Sequence, residues 1–313
     1  MFVVALVILV VFDLFRINNR GETFTENSSI EQTFIKPDYI KAIEQDGGNS
    51  LYRVLNLKQD KSVGALNYNL NFLAYFQMYD IYGYSGIKPR AIQDYYDVLG
   101  SPANPTYWRM TNVEYIILEQ QINYPGLKPV YSGAKTFVYK NENALPRAYF
   151  VNRVEKKNAI ETINAVKQNS FDPADVAFVE EEVGSIVPTD STAFVNITDF
   201  KDEHVTMNVK ATGNNFLFFG DTYMYGETDY KLFKVHTGWK AFVDGNETKI
   251  YRTNHAFRGI VVPAGEHKVE FIYAPESFAI SKNIALVLSS ISFAGLIIGL
   301  VLFRKEKMKK QEE

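Results

Sequence analysis

The stretch that decides the fold is Gly238–Phe303, which reads GWKAFVDGNETKIYRTNHAFRGIVVPAGEHKVEFIYAPESFAISKNIALVLSSISFAGLIIGLVLF. It begins with two strand-like runs, Trp239–Val243 and Glu247–Tyr251, on either side of Asp244-Gly245. Asp-Gly suits a two-residue hairpin turn because both central residues need a positive φ, which glycine adopts without a Cβ clash. The pattern therefore predicts a β-hairpin.

A second pair of strand-like runs follows, Ala256–Val262 and His267–Tyr273, separated by Pro-Ala-Gly. In the later run, apolar residues alternate with lysine and glutamate, which is the period of a half-buried strand. Pro275 then ends the strand pattern. We predict a second strand pair here, and the apolar segment follows it directly in the chain.

That apolar segment, Ile284–Phe303, has 20 residues and no charge. At about 1.5 Å per helical residue it can cross a hydrocarbon core of about 30 Å. Five basic residues lie just after it, between positions 304 and 310. Short basic segments stay cytoplasmic. We therefore predict a transmembrane helix over 284–303, a basic cytoplasmic tail over 304–313, and an extracytoplasmic location for the bulk of the chain.

Composition limits the remaining possibilities. The chain has 313 residues, a hydrophobic content of 46% and a net charge of −3. This length favours two folded units. The acidic balance provides no basic surface for phosphate backbones, so we predict no nucleic-acid partner. The absence of cysteine excludes disulfides and thiolate metal sites.

The N-terminus carries a shorter apolar run. Phe2–Phe12 has eleven apolar residues, about half of what a bilayer core requires. It lacks the basic start and cleavage site of a signal peptide. We expect a partial transmembrane helix over 1–17, with Met1 inside a helix of a longer protein. The alternative is a short signal anchor.

Between these ends the chain predicts two units, so the fold class is α+β. Over 18–187, strands alternate with helices, which is typical of a mixed α/β domain. The clearest helices are Pro89–Leu99, Pro105–Asn112 capped by Asn104, and one that opens at Asn158 with Ile160 on its inner face. Over 188–280, strands and turns predict a β-sandwich of about seven strands.

The chain resembles the C-terminal portion of the YfhO family of bacterial membrane proteins. Four stretches carry the resemblance: GYSGIKPRAIQDYYDVL at 83–99, MTNVEYIIL at 110–118, LPRAYFV at 145–151, and 238–275. The most specific elements in the last stretch are Asn254-x-x-Phe257-Arg258 and the Pro-Ala-Gly turn. The resemblance implies a GT-C-like multi-span glycosyltransferase that uses polyprenyl-phosphate sugars outside the membrane. The family's catalytic acid lies in a first external loop that this sequence does not contain, so we predict no catalytic residue here.

One polar constellation is a candidate substrate-binding site. It comprises Tyr84, Lys88, Arg90, Gln93 and Asp94, and Arg90 could bind an oxyanion through two hydrogen bonds. The alternative is a solvated helix face with an Arg90–Asp94 pair at i,i+4 spacing. The four histidines lack the spacing of a metal site, and no nucleotide-binding motif occurs, so we predict neither metal nor cofactor.

The resemblance, together with the predicted topology, implies that the chain is the extracytoplasmic C-terminal region of a YfhO-like glycosyltransferase. Its role would be acceptor recognition or structural cover for a catalytic site elsewhere, so enzyme activity on this chain alone is left open. The expected partners are the lipid bilayer, a missing N-terminal multi-span region or partner subunit, a polyprenyl-phosphate sugar and a cell-envelope polymer. The alternative is a stand-alone membrane-anchored module that binds carbohydrate or protein.

Overall fold

A computed structural model describes residues 2–18, 35–48, 50–58, 71–83, 88–223 and 238–312. Tyr84 of the predicted binding site lies outside these residues. The helices are α1 (Phe2–Asn18), α2 (Asp38–Gly47), α3 (Phe72–Tyr75), α4 (Arg90–Leu99), α5 (Pro105–Met110), α6 (Ala159–Lys167) and α7 (Glu276–Glu312).

The strands form three sheets. In chain order they are β1 (Arg53–Asn56), β2 (Tyr79–Asp80), β3 (Val113–Leu118), β4 (Leu127–Ser132), β5 (Phe137–Asn141), β6 (Ala148–Val151), β7 (Arg153–Lys156), β8 (Val176–Val179), β9 (Phe194–Phe200), β10 (His204–Ala211), β11 (Asn215–Phe219), β12 (Trp239–Val243), β13 (Asn246–Thr248), β14 (Tyr251–Thr253), β15 (Phe257–Val262) and β16 (Gly265–Tyr273). The mixture of helices and sheets is the predicted α+β fold.

We name the sheets by their place in the chain. The first sheet has the order β2-β1-β3-β5-β4. The middle sheet has the order β6-β11-β15-β14-β8-β7, and the last sheet has the order β13-β12-β16-β10-β9. The middle sheet draws strands from both sides of the predicted boundary at residue 187. The separate domains 18–187 and 188–280, and a self-contained β-sandwich, therefore remain predictions.

The sheets pack through apolar side chains on alternating faces. In β11, Phe216 and Phe218 belong to a core that the middle sheet shares with the first sheet and α4 to α6. The next residues along that strand, Leu217 and Phe219, face the other way and pack with Phe271 and its neighbours in the last sheet. A strand buried on both faces fits the five consecutive apolar or small polar residues of β11.

Local signals predicted the helices well. Gly100 ends α4 in the left-handed conformation at φ 69°, which glycine adopts readily. The Oδ1 atom of Asn104 accepts a hydrogen bond from the backbone N of Tyr107 at 2.8 Å and caps α5. Asn158 and Glu161 form the predicted capping box of α6. The placement of Ile160 inside is wrong, since this residue is 73% exposed.

The first predicted hairpin is confirmed and the second is wrong. β12 pairs with β13 across Asp244 and Gly245, which have φ values of 50° and 80°. By contrast, β15 and β16 do not pair, because β15 lies in the middle sheet and β16 in the last sheet. The intervening residues carry the chain from one sheet to the other. This crossover lets both strands bury apolar side chains in the shared core.

The helix α7 follows β16 almost directly. Within it, Glu276–Lys305 is long and apolar enough to cross a membrane, and among the described residues it is the one helix that is. Its most apolar 18-residue window has a mean hydropathy of 2.5. The N-terminal segment is helical as predicted, and its described side chains at 7–16 are exposed. Its role as a partial transmembrane helix remains a prediction.

Candidate functional site

Three members of the predicted binding site lie on α4, and Lys88 lies exposed just before it. The Nε atom of Arg90 lies 2.6 Å from Oδ1 of Asp94, and the Arg90 side chain is 80% exposed. Gln93 donates to Oδ1 of Asp97 at 2.7 Å. The structure thus brings Arg90 and Asp94 together as the i,i+4 pair that the sequence offered as the alternative.

Asp94 has a second partner that sequence reasoning missed. Its Oδ2 lies 3.0 Å from Nε2 of His255, whose side chain is 4% exposed. The Nη2 atom of Arg252 lies 3.1 Å from the other ring nitrogen, Nδ1. Because a guanidinium can only donate, Nδ1 accepts and Nε2–H donates to Asp94. Burial, then the Arg252 charge, lowers the pKa of His255 despite the carboxylate.

The turn that carries His255 is held by its neighbour, Asn254. Both residues have positive φ values, 64° and 42°. The Oδ1 atom of Asn254 accepts from the backbone N of Phe178 at 2.8 Å, and its carbonyl oxygen accepts from the Tyr95 hydroxyl at 2.6 Å. This turn therefore ties β8 and α4 to the start of β15. Such contacts give Asn254-x-x-Phe257-Arg258 a structural role.

A larger charged cluster forms around Asp221, just after β11. Arg53 donates to Asp221 Oδ1 through Nη2, Arg147 Nη1 lies 3.7 Å from the same oxygen, and Arg258 Nη2 lies 4.0 Å from Oδ2. We call these four residues the arginine cluster. Among the described residues, three guanidinium groups face one carboxylate, which leaves a surplus of two positive charges.

Elements from distant parts of the chain position the cluster. Arg53 begins β1 of the first sheet, and its Nη1 donates to the carbonyl oxygen of Gly220 at 2.6 Å. Arg147 precedes β6, and Arg258 on β15 lies opposite Phe219 of β11. At Gly220, a Cβ atom would lie 2.8 Å from the Met110 carbonyl oxygen. Glycine there allows the end of β11 to approach the last residue of α5 closely.

Two of the arginines are almost completely buried. Arg147 is 3% exposed and Arg258 is 2% exposed. Within the described part of the chain, Nε and Nη2 of Arg147 and Nε and Nη1 of Arg258 have no hydrogen-bond partner. Burial is the main cause that lowers the pKa of Arg147 to about 9 and that of Arg258 to about 10. Keeping both arginines charged in this buried position therefore costs desolvation free energy.

The pKa of Asp221 is also lowered, but in a carboxyl group a lower pKa favours the charged form. Burial raises the pKa of its carboxyl group, but the charges of Arg53, Arg147 and Arg258 lower it by more, so the net shift is downward. Asp221 is therefore ionised at neutral pH and provides the one carboxylate within the arginine cluster.

Aromatic rings lie over the guanidinium groups of Arg147 and Arg258. Arg147 lies 4.7 Å from the ring centre of Tyr79 and 4.8 Å from that of Phe200. Arg258 lies 3.6 Å from the ring of Trp239, which packs against Tyr273 at 5.2 Å between ring centres. Such cation–π contacts replace part of the lost hydration. The rings of Trp239 and Tyr273 also connect the arginine cluster to the residues that precede α7.

Sequence reasoning did not select the arginine cluster. Arg147 and Arg258 lie in stretches that carried the family resemblance, and a charged residue next to apolar strand residues is the signal that could have found them. Arg53 also lies next to apolar strand residues, but nothing near Arg53 or Asp221 in the sequence indicates the other residue, because only folding joins them. Across the described residues, no group of three or more metal-binding side chains comes together.

One family model matches the chain, that of bacterial membrane protein YfhO, over residues 195–285. The match begins in β9 and ends within α7, and it includes Asp221 and Arg258. It confirms the resemblance for the stretch 238–275. The stretches before residue 195 lie outside it. Searches of curated proteins and of solved structures gave no match.

Proposed function

Since this chain carries a segment of the bacterial membrane protein YfhO family, we propose that it is the extracytoplasmic C-terminal region of a YfhO-like membrane glycosyltransferase. In this proposal the enzyme uses polyprenyl-phosphate sugars, α7 spans the bilayer, and the tail 304–313 is cytoplasmic. The folded part recognises the acceptor, a cell-envelope polymer, or covers a catalytic site on another region or subunit.

The observation that carries this proposal is the junction between β16 and α7. The backbone N of Ala274 donates to the carbonyl oxygen of Gly238 at 2.6 Å, and Lys240 Nζ lies 3.6 Å from the Glu276 carboxylate. These contacts tie β12 to the first residues of the membrane helix. Because this connection is short and is braced by two contacts, we expect the sheets to lie close to the membrane surface, where lipid-linked substrates are found.

Within this proposal, α4 supplies the acceptor contacts. The His255 contact fixes Asp94, which in turn holds the exposed Arg90 at 2.6 Å. A guanidinium oriented in this way can donate two parallel hydrogen bonds to an acceptor oxyanion or hydroxyl pair. Lys88 and Gln93 lie on or beside the same helix, and Tyr84 precedes it in sequence.

The test is envelope-polymer glycosylation in the bacterium that encodes the chain. We expect deletion of the gene to remove one polymer-linked sugar and the wild-type gene to restore it. Arg90→Ala should reduce restoration at least tenfold, whereas Arg153→Ala should restore it fully. Arg153 is a matched control because it is also an exposed arginine paired with an aspartate, Asp175.

Each outcome has a distinct meaning. Unchanged glycosylation in the deletion strain would contradict the glycosyltransferase proposal and favour a stand-alone anchored module. Full restoration by Arg90→Ala would contradict only the role of α4 in acceptor binding.

A further inference from the structure

We propose that the arginine cluster is a binding site for a phosphate group, with Arg147 as its principal ligand. This inference does not depend on glycosyl transfer, because it concerns residues outside the α4 site and a binding event that needs no reaction. It rests on the hydrogen-bonding geometry of Arg147, the surplus charge of the arginine cluster and the aromatic contacts that surround it.

The two unpartnered atoms of Arg147 form a matched pair. Nε–H and the adjacent N–H of Nη2 point in the same direction and make up one edge of the guanidinium plane. This edge binds two oxygens of a phosphate or carboxylate in parallel. In Arg147 the opposite nitrogen, Nη1, faces Asp221 at 3.7 Å. The edge suited to an oxyanion is thus the one without a hydrogen-bond partner among the described residues.

The charge of the arginine cluster suits a phosphate. Asp221 neutralises one of three guanidinium charges, and the remaining two match the charge of about −1.5 to −2 on a phosphate monoester near neutral pH. A bound phosphate would also stabilise the charged forms of Arg147 and Arg258. Burial disfavours these charged forms and lowers both pKa values. A neutral sugar would leave the surplus charge unbalanced.

The surroundings preorganise the site. Tyr79 and Phe200 lie against Arg147, and their rings are 5.6 Å apart in an edge-to-face arrangement. Tyr79 is 40% exposed, whereas Arg147, against which its ring lies, is 3% exposed. On the other side, Trp239 and Tyr273 connect Arg258 to the start of α7. The ligand could therefore be a lipid phosphate headgroup or a free phosphate.

Binding can be measured on the full chain in phosphatidylcholine nanodiscs. In one arm, inorganic phosphate is titrated by calorimetry. In the other, the unfolding midpoint is compared between nanodiscs with and without phosphatidic acid. The main variant is Arg147→Lys, which keeps the charge but loses the two-atom edge. The control is Arg153→Lys, at an exposed arginine of β7.

We expect saturable binding by the wild-type chain that Arg147→Lys weakens at least tenfold and Arg153→Lys leaves within twofold. An Arg147-dependent response to inorganic phosphate would identify a free phosphate ligand. A response confined to phosphatidic acid, again dependent on Arg147, would identify a lipid headgroup.

The proposal would be overturned if neither arm gave a wild-type response, or if Arg147→Lys and Arg153→Lys behaved alike. Circular dichroism checks that Arg147→Lys is folded. If it is not, Arg258→Lys tests the second buried guanidinium of the cluster, whose Nε and Nη1 lack hydrogen-bond partners among the described residues but lie on different edges. Binding by this variant that matches Arg153→Lys would again overturn the proposal.

Discussion

The Nε2 atom of His255 lies 3.0 Å from Oδ2 of Asp94, and this contact joins the turn before β15 to helix α4. It links the Asn254-x-x-Phe257-Arg258 motif to the helix that carries the predicted acceptor site. The same motif supplies Arg258 to the arginine cluster. One short segment therefore positions both candidate sites.

The buried His255 predicts a loss of stability in mild acid. Burial and Arg252 lower its pKa in the folded chain below the usual 6.5, so the unfolded chain binds a proton more readily. Stability from this group is therefore complete above about pH 6.5 and is lost as the pH falls towards the folded pKa. Urea unfolding at pH 7.5 and 5.5 should show a smaller pH effect in His255→Asn than in the wild type. Equal pH effects would contradict the assignment.

The buried Asp80 should make the stability of the fold depend on pH in the opposite direction. Burial raises its pKa to about 6, and its Oδ2 has no hydrogen-bond partner within the described part of the chain. The folded chain thus binds a proton more readily, so this group destabilises the fold as the pH rises from about 4 to 6. We expect Asp80→Asn to raise the free energy of unfolding by about 1–2 kcal/mol at pH 7.5 and to leave it unchanged near pH 3.5. The exposed Asp202→Asn is the control, and a destabilised Asp80→Asn at pH 7.5 would contradict the prediction.

Local patterns predicted the helices because caps act over three or four residues. Asn104, Asn158 and Gly100 mark their helix ends in sequence as they do in space. The Asp244-Gly245 turn is equally local. The pairing of β15 and β16 was predicted wrongly because sheet membership depends on which distant strands compete for each edge, and those partners, β10 and β11, come earlier in the chain.

The arginine cluster illustrates the same limit for sites. Arg53 and Asp221 are joined across the first and middle sheets, and nothing near either residue indicates the other. The i,i+4 pair on α4 was visible from spacing alone, whereas its link to His255 was not. Sequence reasoning therefore found the exposed polar helix and missed the buried charges behind it.

Removing the carboxylate of the arginine cluster should be costly. Asp221 is 14% exposed and faces three guanidinium groups, so Asp221→Asn leaves those charges without a counter-ion among the described residues. We expect a loss of about 3–5 kcal/mol in the free energy of unfolding. Asp199→Asn, at an exposed ion pair with Lys201, should cost less than about 1 kcal/mol. Chemical denaturation compares the two, and a similar small loss in both would mean that the cluster is not electrostatically strained.

The hairpin turn offers a test of backbone conformation. Gly245 has a φ of 80°, and a Cβ added there would meet no atom within 4 Å. Gly245→Ala should therefore destabilise through the backbone alone, by about 1–2 kcal/mol. Gly184 is an equally open control outside the left-handed region, where alanine should be neutral or slightly stabilising. Thermal unfolding of both variants checks this, and equal effects would argue against the left-handed turn.

The central claim is that the folded part lies outside the cell and α7 carries the chain across the membrane. The chain has no cysteine, so single cysteines can be labelled without background. Asp202→Cys, in the exposed turn between β9 and β10, and Met308→Cys, in the tail beyond the apolar segment, should be treated with a membrane-impermeant maleimide. We predict that position 202 is labelled in intact cells, with the outer membrane opened where one is present, and that position 308 is labelled only once the cytoplasmic membrane is permeabilised. Labelling of 308 but not 202 in intact cells would contradict the account.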